Sequence, residues 1–196
     1  MLRILFSEPN RSVKCPAIFL DRDGVINHRR PDDYVLDWSQ FFFIPGIRVA
    51  LKQISTLGLP MIVISNQAAV GKGLLNSTGL QEITVKMYEV LFEDGTPLAA
   101  AYYCTHRPDE NCVCRKPKPG LLQTAADDFN IDLSRSIFIG DSDTDVQAGR
   151  AAGCASVLFG PDSGPQPTSQ TDLYTEREAT GLYTLVANYL KTTKSS

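Results

Sequence analysis

One stretch of the chain decides its fold: residues 18–27, with the sequence IFLDRDGVIN. The apolar residues before Asp21 are enough for a short buried strand, and two acids, Asp21 and Asp23, follow directly. Neighbouring carboxylates repel each other and need a cation, and the hard cation Mg²⁺ prefers oxygen ligands. Gly24 permits a sharp turn out of the strand. The stretch therefore predicts a strand end with an acidic site, provided that other segments supply the remaining groups.

The rest of the chain alternates between short apolar stretches and segments with helical periodicity. Strands are predicted over residues 17–20, 60–64, 99–104, 136–139 and 155–159. Helices are predicted over residues 47–57, 78–92, 120–129, 144–152 and about 178–191. This alternation implies right-handed crossovers, and hence a three-layer α/β, Rossmann-like fold with a mostly parallel sheet of five strands or slightly more. Polar residues at the carboxyl ends of its strands would then meet in one site.

The remaining segments are predicted to be irregular. Residues 1–16 lead into the first strand, and residues 24–45 form a flap that is too short for a separate cap domain. Residues 161–175 form a polar linker to the last helix. Because a chain of 196 residues is within the usual size of one domain, we expect a single domain over residues 1–196 with its core at about residues 17–160.

Composition limits the classes of function. The chain is 43% hydrophobic and 21% charged, with a formal net charge of −3, which is typical of a soluble globular protein. The acidic balance gives no support for a broad surface that binds nucleic acid or anionic membranes. The N-terminus lacks a signal-peptide apolar run, and no window approaches the roughly 18 apolar residues of a membrane span. We expect a cytoplasmic monomer without nucleic-acid or membrane partners.

Polar residues follow four of the predicted strands. They are Asp21 and Asp23, then Ser65, then Arg115 with Lys116, then Asp141 with Asp145. These are the groups that phosphate-ester cleavage needs, because one carboxylate can attack phosphorus and a second can protonate the leaving alkoxide and activate water. Mg²⁺ would neutralise the acids, while a serine hydroxyl and a lysine ammonium would bind the phosphate oxygens. The pattern predicts a phosphoryl-transfer site.

The order of the motifs FLDRDG, ISNQ, RKPKPG and IGDSDTD resembles that of the haloacid dehalogenase-like (HAD) phosphatases. The resemblance covers about residues 17–160 and implies a role for each matching residue. Asp21 would be the nucleophile and Asp23 the general acid and base. Ser65 and Lys116 would bind the phosphoryl group.

The same resemblance implies the catalytic Mg²⁺ site and its support. Asp141, Asp21 and the backbone carbonyl of Asp23 would hold the metal ion. Asp145 would orient Lys116. Contacts with the substrate are implied at Asn66 and Gln67, at Arg115, and more loosely at Arg29 and Asp32.

Three of the five cysteines lie within residues 104–114. Together with a histidine they form a Cys₃His set, which is a common tetrahedral zinc site: Cys104, His106, Cys112 and Cys114. Four protein ligands leave no open position, so the predicted Zn²⁺ is structural. Because Cys114 directly precedes Arg115 and Lys116, zinc would fix the direction of both cations.

The zinc loop resembles that of a capless HAD subfamily of small-molecule phosphatases. The KPKPG, NQAAVGKG and DRDGVIN segments are most similar to phosphatases that cleave D-glycero-D-manno-heptose 1,7-bisphosphate at C7. This implies a Mg²⁺-dependent enzyme, acting through an aspartyl-phosphate, on a small phosphorylated sugar. Histidinol-phosphate phosphatase is the alternative, and a polynucleotide 3′-phosphatase is more remote. A zinc-bearing binding module without catalysis is also open, although the chain keeps all four sets of catalytic groups.

Overall fold

The computed structural model describes residues 1–8, 13–30, 33–160, 173–176 and 178–193. In these ranges, the strands are β1 (Leu2–Leu5), β2 (Ile18–Leu20), β3 (Met61–Asn66), β4 (Ala100–Cys104), β5 (Ile137–Gly140), β6 (Ala155–Phe159) and β7 (Leu173–Glu176). The α-helices are α1 (Ile47–Ser55), α2 (Ala68–Gly71), α3 (Ser77–Glu93), α4 (Gly120–Phe129), α5 (Asp143–Ala152) and α6 (Ala179–Thr193). Short 3₁₀ helices span Trp38–Gln40, Pro108–Glu110 and Leu133–Arg135.

The strands form one seven-stranded sheet in the order β1-β4-β3-β2-β5-β6-β7. Only β1 is antiparallel to its neighbour among the strand pairs of the described ranges; the other five pairs are parallel. The predicted α/β fold with a mostly parallel sheet is therefore confirmed. Strand β2 lies at the centre, between β3 and β5, and β4 lies beyond β3. The carboxyl ends of these four strands therefore lie at one edge, as the sequence predicts.

Helices cover both faces of the sheet because the strand residues alternate between two cores. Ile18 and Leu20 of β2 belong to a cluster that includes residues of α1, α3 and α6. Phe19 points to the other face and belongs to a cluster that includes residues of α4 and α5. Strand β2 is buried along its whole length, as a central parallel strand must be.

The prediction that residues 1–16 are irregular is wrong for Leu2–Leu5. These residues form β1, which pairs with β4 at the edge of the sheet. Leu2 and Ile4 pack against the core while Arg3 and Leu5 are exposed. The alternation is therefore genuine, but it extends over only four residues and offers little signal in the sequence.

The linker predicted over residues 161–175 is also only partly correct. Residues 161–172 lie outside the described residues, but Leu173–Glu176 form β7, parallel to β6. The following helix α6 buries one face against the sheet and α1, with Leu182, Val186 and Leu190 in the core.

The segment between β2 and α1 is a compact flap. In the described part of residues 24–45, the only helix is the 3₁₀ turn Trp38–Gln40. Trp38 stacks on Phe41, and Phe43 meets Phe41 edge to face, so an aromatic cluster supports the flap.

Within the described ranges, no helix combines the length and apolar character needed to cross a membrane.

Candidate active site

Strand β2 delivers the acidic pair to the carboxyl edge of the sheet. The backbone turns at Gly24, whose φ of 95° is unfavourable for other residues. A Cβ atom at Gly24 would also collide with the carboxylate of Asp141. The glycine therefore allows the turn after Asp21 and Asp23 to pack directly against the carboxylate that follows β5.

Lys116 is the electrostatic centre of the site. Its buried ammonium lies 2.9 Å from Asp21 Oδ1 and 2.6 Å from Asp145 Oδ1, and donates to the carbonyl of Ile64 at 3.1 Å. The second oxygen of Asp145 accepts hydrogen bonds from the backbone N–H and hydroxyl of Ser142. Asp145 therefore makes the contact that a lysine-orienting role requires.

The acidic cluster carries more negative charge than Lys116 can compensate. Burial raises the pKa of Asp21 to about 7; Lys116 opposes this rise, and the carboxylates of Asp145 and Asp141 add to it. Burial and the charge of Asp145 raise the pKa of Asp141 to about 6, although Arg29 acts in the opposite direction. Carboxylate oxygens of Asp21, Asp141 and Asp145 all lie within 4.8 Å of one another. A hard divalent cation fits this donor set, since it would relieve the repulsion.

Ser65 and Asn66 end strand β3 beside these acids. Ser65 is buried, and it lines the same cavity as Asp21. The side-chain amide of Asn66 pairs with the backbone of Lys116: its nitrogen donates to the carbonyl at 3.1 Å, and its oxygen accepts from the N–H at 3.1 Å. Asn66 also lines the cavity, and its contact with substrate stays a prediction.

Gln67 was predicted to contact substrate, but the structure places its side chain in the protein interior. It is 2% exposed, and its amide is bonded to Arg22, Asp23 and Ser65. Sequence reasoning missed Arg22, which is fully buried between the two acids. The feature of the sequence that could have indicated its role is its position: Arg22 is a cation between Asp21 and Asp23, at the end of an apolar strand.

The cysteine-rich loop forms a compact cluster at the end of β4. Sγ of Cys104 lies 3.6 Å from both Cys112 Sγ and His106 Nδ1. Sγ of Cys114 lies 3.6 Å from Cys112 Sγ and 3.3 Å from His106 Nδ1. Tetrahedral zinc with bonds of about 2.3 Å to sulfur requires sulfur–sulfur separations of about 3.8 Å. The four ligand atoms therefore fit a tetrahedral metal ion. When no metal ion is bound, burial and the neighbouring thiols raise the pKa of Cys114 to about 12.

Two glycines allow the loop to pack tightly beside the catalytic groups. A Cβ atom at Gly71 of α2 would approach the Thr105 carbonyl to 2.6 Å, and one at Gly120 of α4 would approach the Val113 carbonyl to 2.5 Å. Beyond Cys114, the Nη1 atom of Arg115 is buried without a hydrogen-bond partner among the described residues. Arg115 lines the same cavity as Lys116.

These groups line one open cavity of about 1030 Å³. Its lining includes, of the residues predicted for the site, Asp21, Asp23, Arg29, Ser65, Asn66, Arg115, Lys116 and Asp141. At the rim, Arg29 Nη1 lies 3.5 Å from Asp141 Oδ2, and Arg30 pairs with Asp33 at 2.7 Å. Asp32, a predicted substrate contact, lies outside the described residues.

Comparison with known proteins identifies the family. Residues 113–188 match the model of the HAD-hydrolase-like family. The chain is 42% identical over 134 residues to a D-glycero-β-D-manno-heptose-1,7-bisphosphate 7-phosphatase of Helicobacter pylori, covering 68% of this chain and 76% of the relative. It is 37% identical over 141 residues to the protein of the same name from Pseudomonas aeruginosa, covering 72% of this chain and 79% of the relative.

A solved structure is similar over most of the chain. The D,D-heptose 1,7-bisphosphate phosphatase of B. bronchiseptica, complexed with magnesium and phosphate, superposes with a TM-score of 0.80 at 28% identity. The match covers 88% of this chain and 98% of that protein. The resemblance noted in the motifs is thereby confirmed: the chain belongs to the HAD-like hydrolase family, and the relatives that it matches are phosphatases.

Proposed function

We propose that this protein is a Mg²⁺-dependent phosphatase that hydrolyses D-glycero-D-manno-heptose 1,7-bisphosphate at C7, releasing heptose 1-phosphate. The observation that carries this assignment is the position of Arg115. Arg115 lines the same cavity as Asp21 and Lys116, so its guanidinium would give the cavity a second anion site beside the catalytic one. The names of the two relatives point to the same bisphosphate.

The carboxylates divide the reaction between them. Asp21 attacks phosphorus, so that a bond forms from its oxygen to phosphorus while the bond from phosphorus to the C7 oxygen breaks. Asp23 gives a proton to that departing oxygen, and then takes one from the water that hydrolyses the aspartyl-phosphate. Two contacts to Asp21 Oδ1, from Lys116 and from the backbone N–H of Arg22 at 2.7 Å, fix the plane of the nucleophile. Ser65 and Lys116 bind the non-bridging oxygens.

Asp21, Asp141 and the backbone carbonyl of Asp23 would hold Mg²⁺. Asp145 is committed to Lys116 and Ser142, which leaves the other two carboxylates for the metal. When bound, the ion neutralises the cluster and draws negative charge from the transferring phosphoryl group. A bound cation would lower the raised pKa values of Asp21 and Asp141 and so favour the ionised form of both carboxyl groups.

Zn²⁺ would be held by Cys104, His106, Cys112 and Cys114 and would be structural. Cys104 ends β4, and the other three ligands lie in the loop that directly precedes the two cations of the site. A fixed Cys114 limits how far Arg115 and Lys116 can move. The loop therefore supports binding of both phosphates without contacting either.

The distal phosphate would be bound by Arg115, with Arg29 at the rim. A guanidinium can bind a phosphate through two parallel hydrogen bonds, which adds both affinity and direction. Arg29 is largely exposed and its contact with Asp141 is long, so its side chain is able to turn toward a ligand. Histidinol phosphate ends in cationic groups and would need an acid here. Asp33 lines the cavity, but its charge is already paired with Arg30.

All of the proposed catalytic groups come from one chain, and we propose that the enzyme acts as a cytoplasmic monomer. Size-exclusion chromatography with light scattering would test this. A mass twice the 21.5 kDa of the chain would contradict it.

The decisive experiment for the substrate compares kcat/KM for the heptose bisphosphate and histidinol phosphate with the same enzyme preparation. We expect the bisphosphate to be strongly preferred. Arg115→Ala should reduce kcat/KM for the bisphosphate about 10- to 100-fold, as expected for loss of one charge-assisted contact, and much less for a small monophosphate. Arg107→Ala, which removes an exposed arginine paired with Asp109, is the matched control. A preference for histidinol phosphate would refute the substrate assignment but not the phosphatase mechanism.

A further inference from the structure

Arg22 is a buried charge that the mechanism above does not use. Its side chain is 0% exposed, and its guanidinium contacts the adjacent Asp23 on both carboxylate oxygens. Nε and Nη2 lie 3.2 Å and 3.0 Å from Oδ1, and Nη2 lies 2.9 Å from Oδ2. Burying the charge of an arginine costs free energy, so the position of Arg22 beside the proposed general acid calls for an explanation other than packing.

Gln67 connects the same two residues from strand β3. Its Oε1 accepts from Arg22 Nη2 at 3.0 Å, and its Nε2 donates to Asp23 Oδ2 at 2.7 Å. Nε2 also lies 3.2 Å from Ser65 Oγ. Because both ends of the amide are bonded, Gln67 can adopt only one orientation here. Arg22, Gln67 and Asp23 therefore form a closed triangle of hydrogen bonds.

The triangle is held from two further sides. Asn27 donates from Nδ2 to Asp23 Oδ1 at 2.8 Å, opposite Gln67. The ring of Tyr103 in β4 lies beneath the Arg22 guanidinium, 6.0 Å from Cζ to the ring centroid, and its hydroxyl is 3.0 Å from Thr84 Oγ1. The Asp23 side chain nevertheless keeps 26% of its surface exposed, on the wall of the catalytic cavity.

We propose that Arg22 and Gln67 are positioning residues that hold the Asp23 side chain against the leaving-group oxygen. The proposal rests on the role of Asp23 in the proposed function. Proton transfer requires the acid within hydrogen-bond reach of the ester oxygen, and a displacement of about 1 Å can cost about 100-fold in rate. Three fixed donors restrict the rotation of a short side chain that would otherwise turn freely at the edge of an open cavity.

The leaving group separates this role from a structural one. An alkyl ester such as the heptose bisphosphate needs a proton on its departing oxygen, whereas 2,4-dinitrophenolate departs without one. The ratio of kcat/KM for heptose bisphosphate to kcat/KM for 2,4-dinitrophenyl phosphate therefore changes with the general acid in the phosphorylation step and with binding of the distal phosphate. The Asp23→Asn background separates the two, because a loss of distal binding would still lower the ratio there. Damage to the fold, to metal binding or to the nucleophile lowers both values and leaves the ratio nearly unchanged.

The variants to compare are Arg22→Met, Arg22→Lys and Gln67→Met, with Asp23→Asn as reference. Arg48→Met is the matched control, because it removes an arginine that is paired with Asp94 through two contacts of 2.6 Å and 2.7 Å outside the site. We expect the ratio to fall about 10- to 100-fold in Arg22→Met and Gln67→Met, less in Arg22→Lys, and not at all in Arg48→Met. In an Asp23→Asn background, Arg22→Met and Gln67→Met should lower the ratio no further.

Two results would overturn the proposal. The first is an unchanged ratio in both Arg22→Met and Gln67→Met. The second is a fall of the ratio in the Asp23→Asn background that is as large as the fall each change causes in the wild-type enzyme. If Arg22→Met does not fold, Gln67→Met decides the matter, because it removes no charge and nearly preserves the volume. A wild-type enzyme that hydrolyses neither ester would instead refute the proposed function. One that hydrolyses only the dinitrophenyl ester would refute the substrate.

Discussion

Lys116 links the chemistry of the site to the stability of the fold. Its charge is buried between Asp21 and Asp145, and these carboxylates, which offset the effect of burial, raise the pKa of the lysine. Removing one partner of a buried ion pair is costly because the other partner stays buried and unpaired. The same contact positions Asp21, the proposed nucleophile. A change at Lys116 should therefore alter both folding and turnover.

We expect Lys116→Met to abolish measurable phosphatase activity and to lower the free energy of unfolding by about 3 kcal/mol at pH 7. Urea unfolding followed by circular dichroism would measure the stability, with Lys52→Met as a control at an exposed lysine on α1. Near-native turnover in Lys116→Met would contradict its assignment as a phosphate-binding residue. Unchanged stability in Lys116→Met would show that the folded state does not need Lys116 to offset the buried charges of Asp21 and Asp145.

The sequence predicts which residues gather in the site better than it predicts what each one contacts. Asp21, Ser65, Lys116 and Asp141 lie together because each lies at or beyond the carboxyl end of a strand in a parallel sheet, and sequence periodicity indicates where those strands are. The adjacent amides of Asn66 and Gln67 received the same prediction, yet one bonds to the backbone of Lys116 and the other to Arg22. Amides both donate and accept, so their partners are decided by tertiary contacts that sequence patterns do not contain.

Among the elements, the cysteine-rich loop between β4 and α4 is the one whose conformation we expect to depend on a bound ion. Between β4 and α4, the only regular structure in the described chain is the short 3₁₀ helix Pro108–Glu110. Lys118 donates to the carbonyls of Asn111 and Cys112 at 2.9 Å each, which ties the loop to the segment that carries Lys116. Without a metal ion, three neighbouring thiols would have to stay protonated or separate. Loss of the ion should therefore loosen Arg115 and Lys116 together.

We expect one zinc ion per chain. We also expect Cys112→Ser to weaken zinc binding by at least about 10-fold, because the loss of a residue that only supports a metal ligand already weakens binding by about that factor. KM for the bisphosphate should rise because Arg115 is no longer fixed. Metal analysis and steady-state kinetics would measure both. Val113→Ser is the matched control, since Val113 lies in the same loop and is 79% exposed. Zinc-free wild-type protein, prepared without chelators or oxidation, would contradict this prediction.

Elements were predictable where the local signal was long or sharply bounded. Helix α4 has the predicted bounds, because Pro119 precedes it and Asn130 ends it in the left-handed conformation. The short helix α2 was missed, since a glycine-rich segment such as residues 70–73 is typical of a loop. Strands β1 and β7 are four residues long and lie at opposite edges of the sheet. Short edge strands are specified mainly by the neighbour with which they pair.

At the scale of the whole molecule, helix α6 returns the C-terminal segment to the core of the fold. It packs on α1, and the hydroxyl of Tyr189 donates to the carbonyl of Ser136, which immediately precedes β5, at 3.3 Å. Strand β5 in turn carries the peptide that leads to Asp141. The last helix thus contacts the segment that positions one of the proposed metal ligands.

This arrangement predicts that the chain unfolds as one domain. Leu182 is fully buried in the cluster that α6 shares with α1, so Leu182→Ala should lower the free energy of unfolding by about 2–5 kcal/mol. The loss should occur in one cooperative transition, with circular dichroism and phosphatase activity declining at the same urea concentration. Asn188→Ala, at an exposed position of the same helix, should change stability by less than about 0.5 kcal/mol. If Leu182→Ala melted α6 while activity persisted to higher urea, the C-terminal helix would be a separate unit, and the prediction of one domain over residues 1–196 would be wrong.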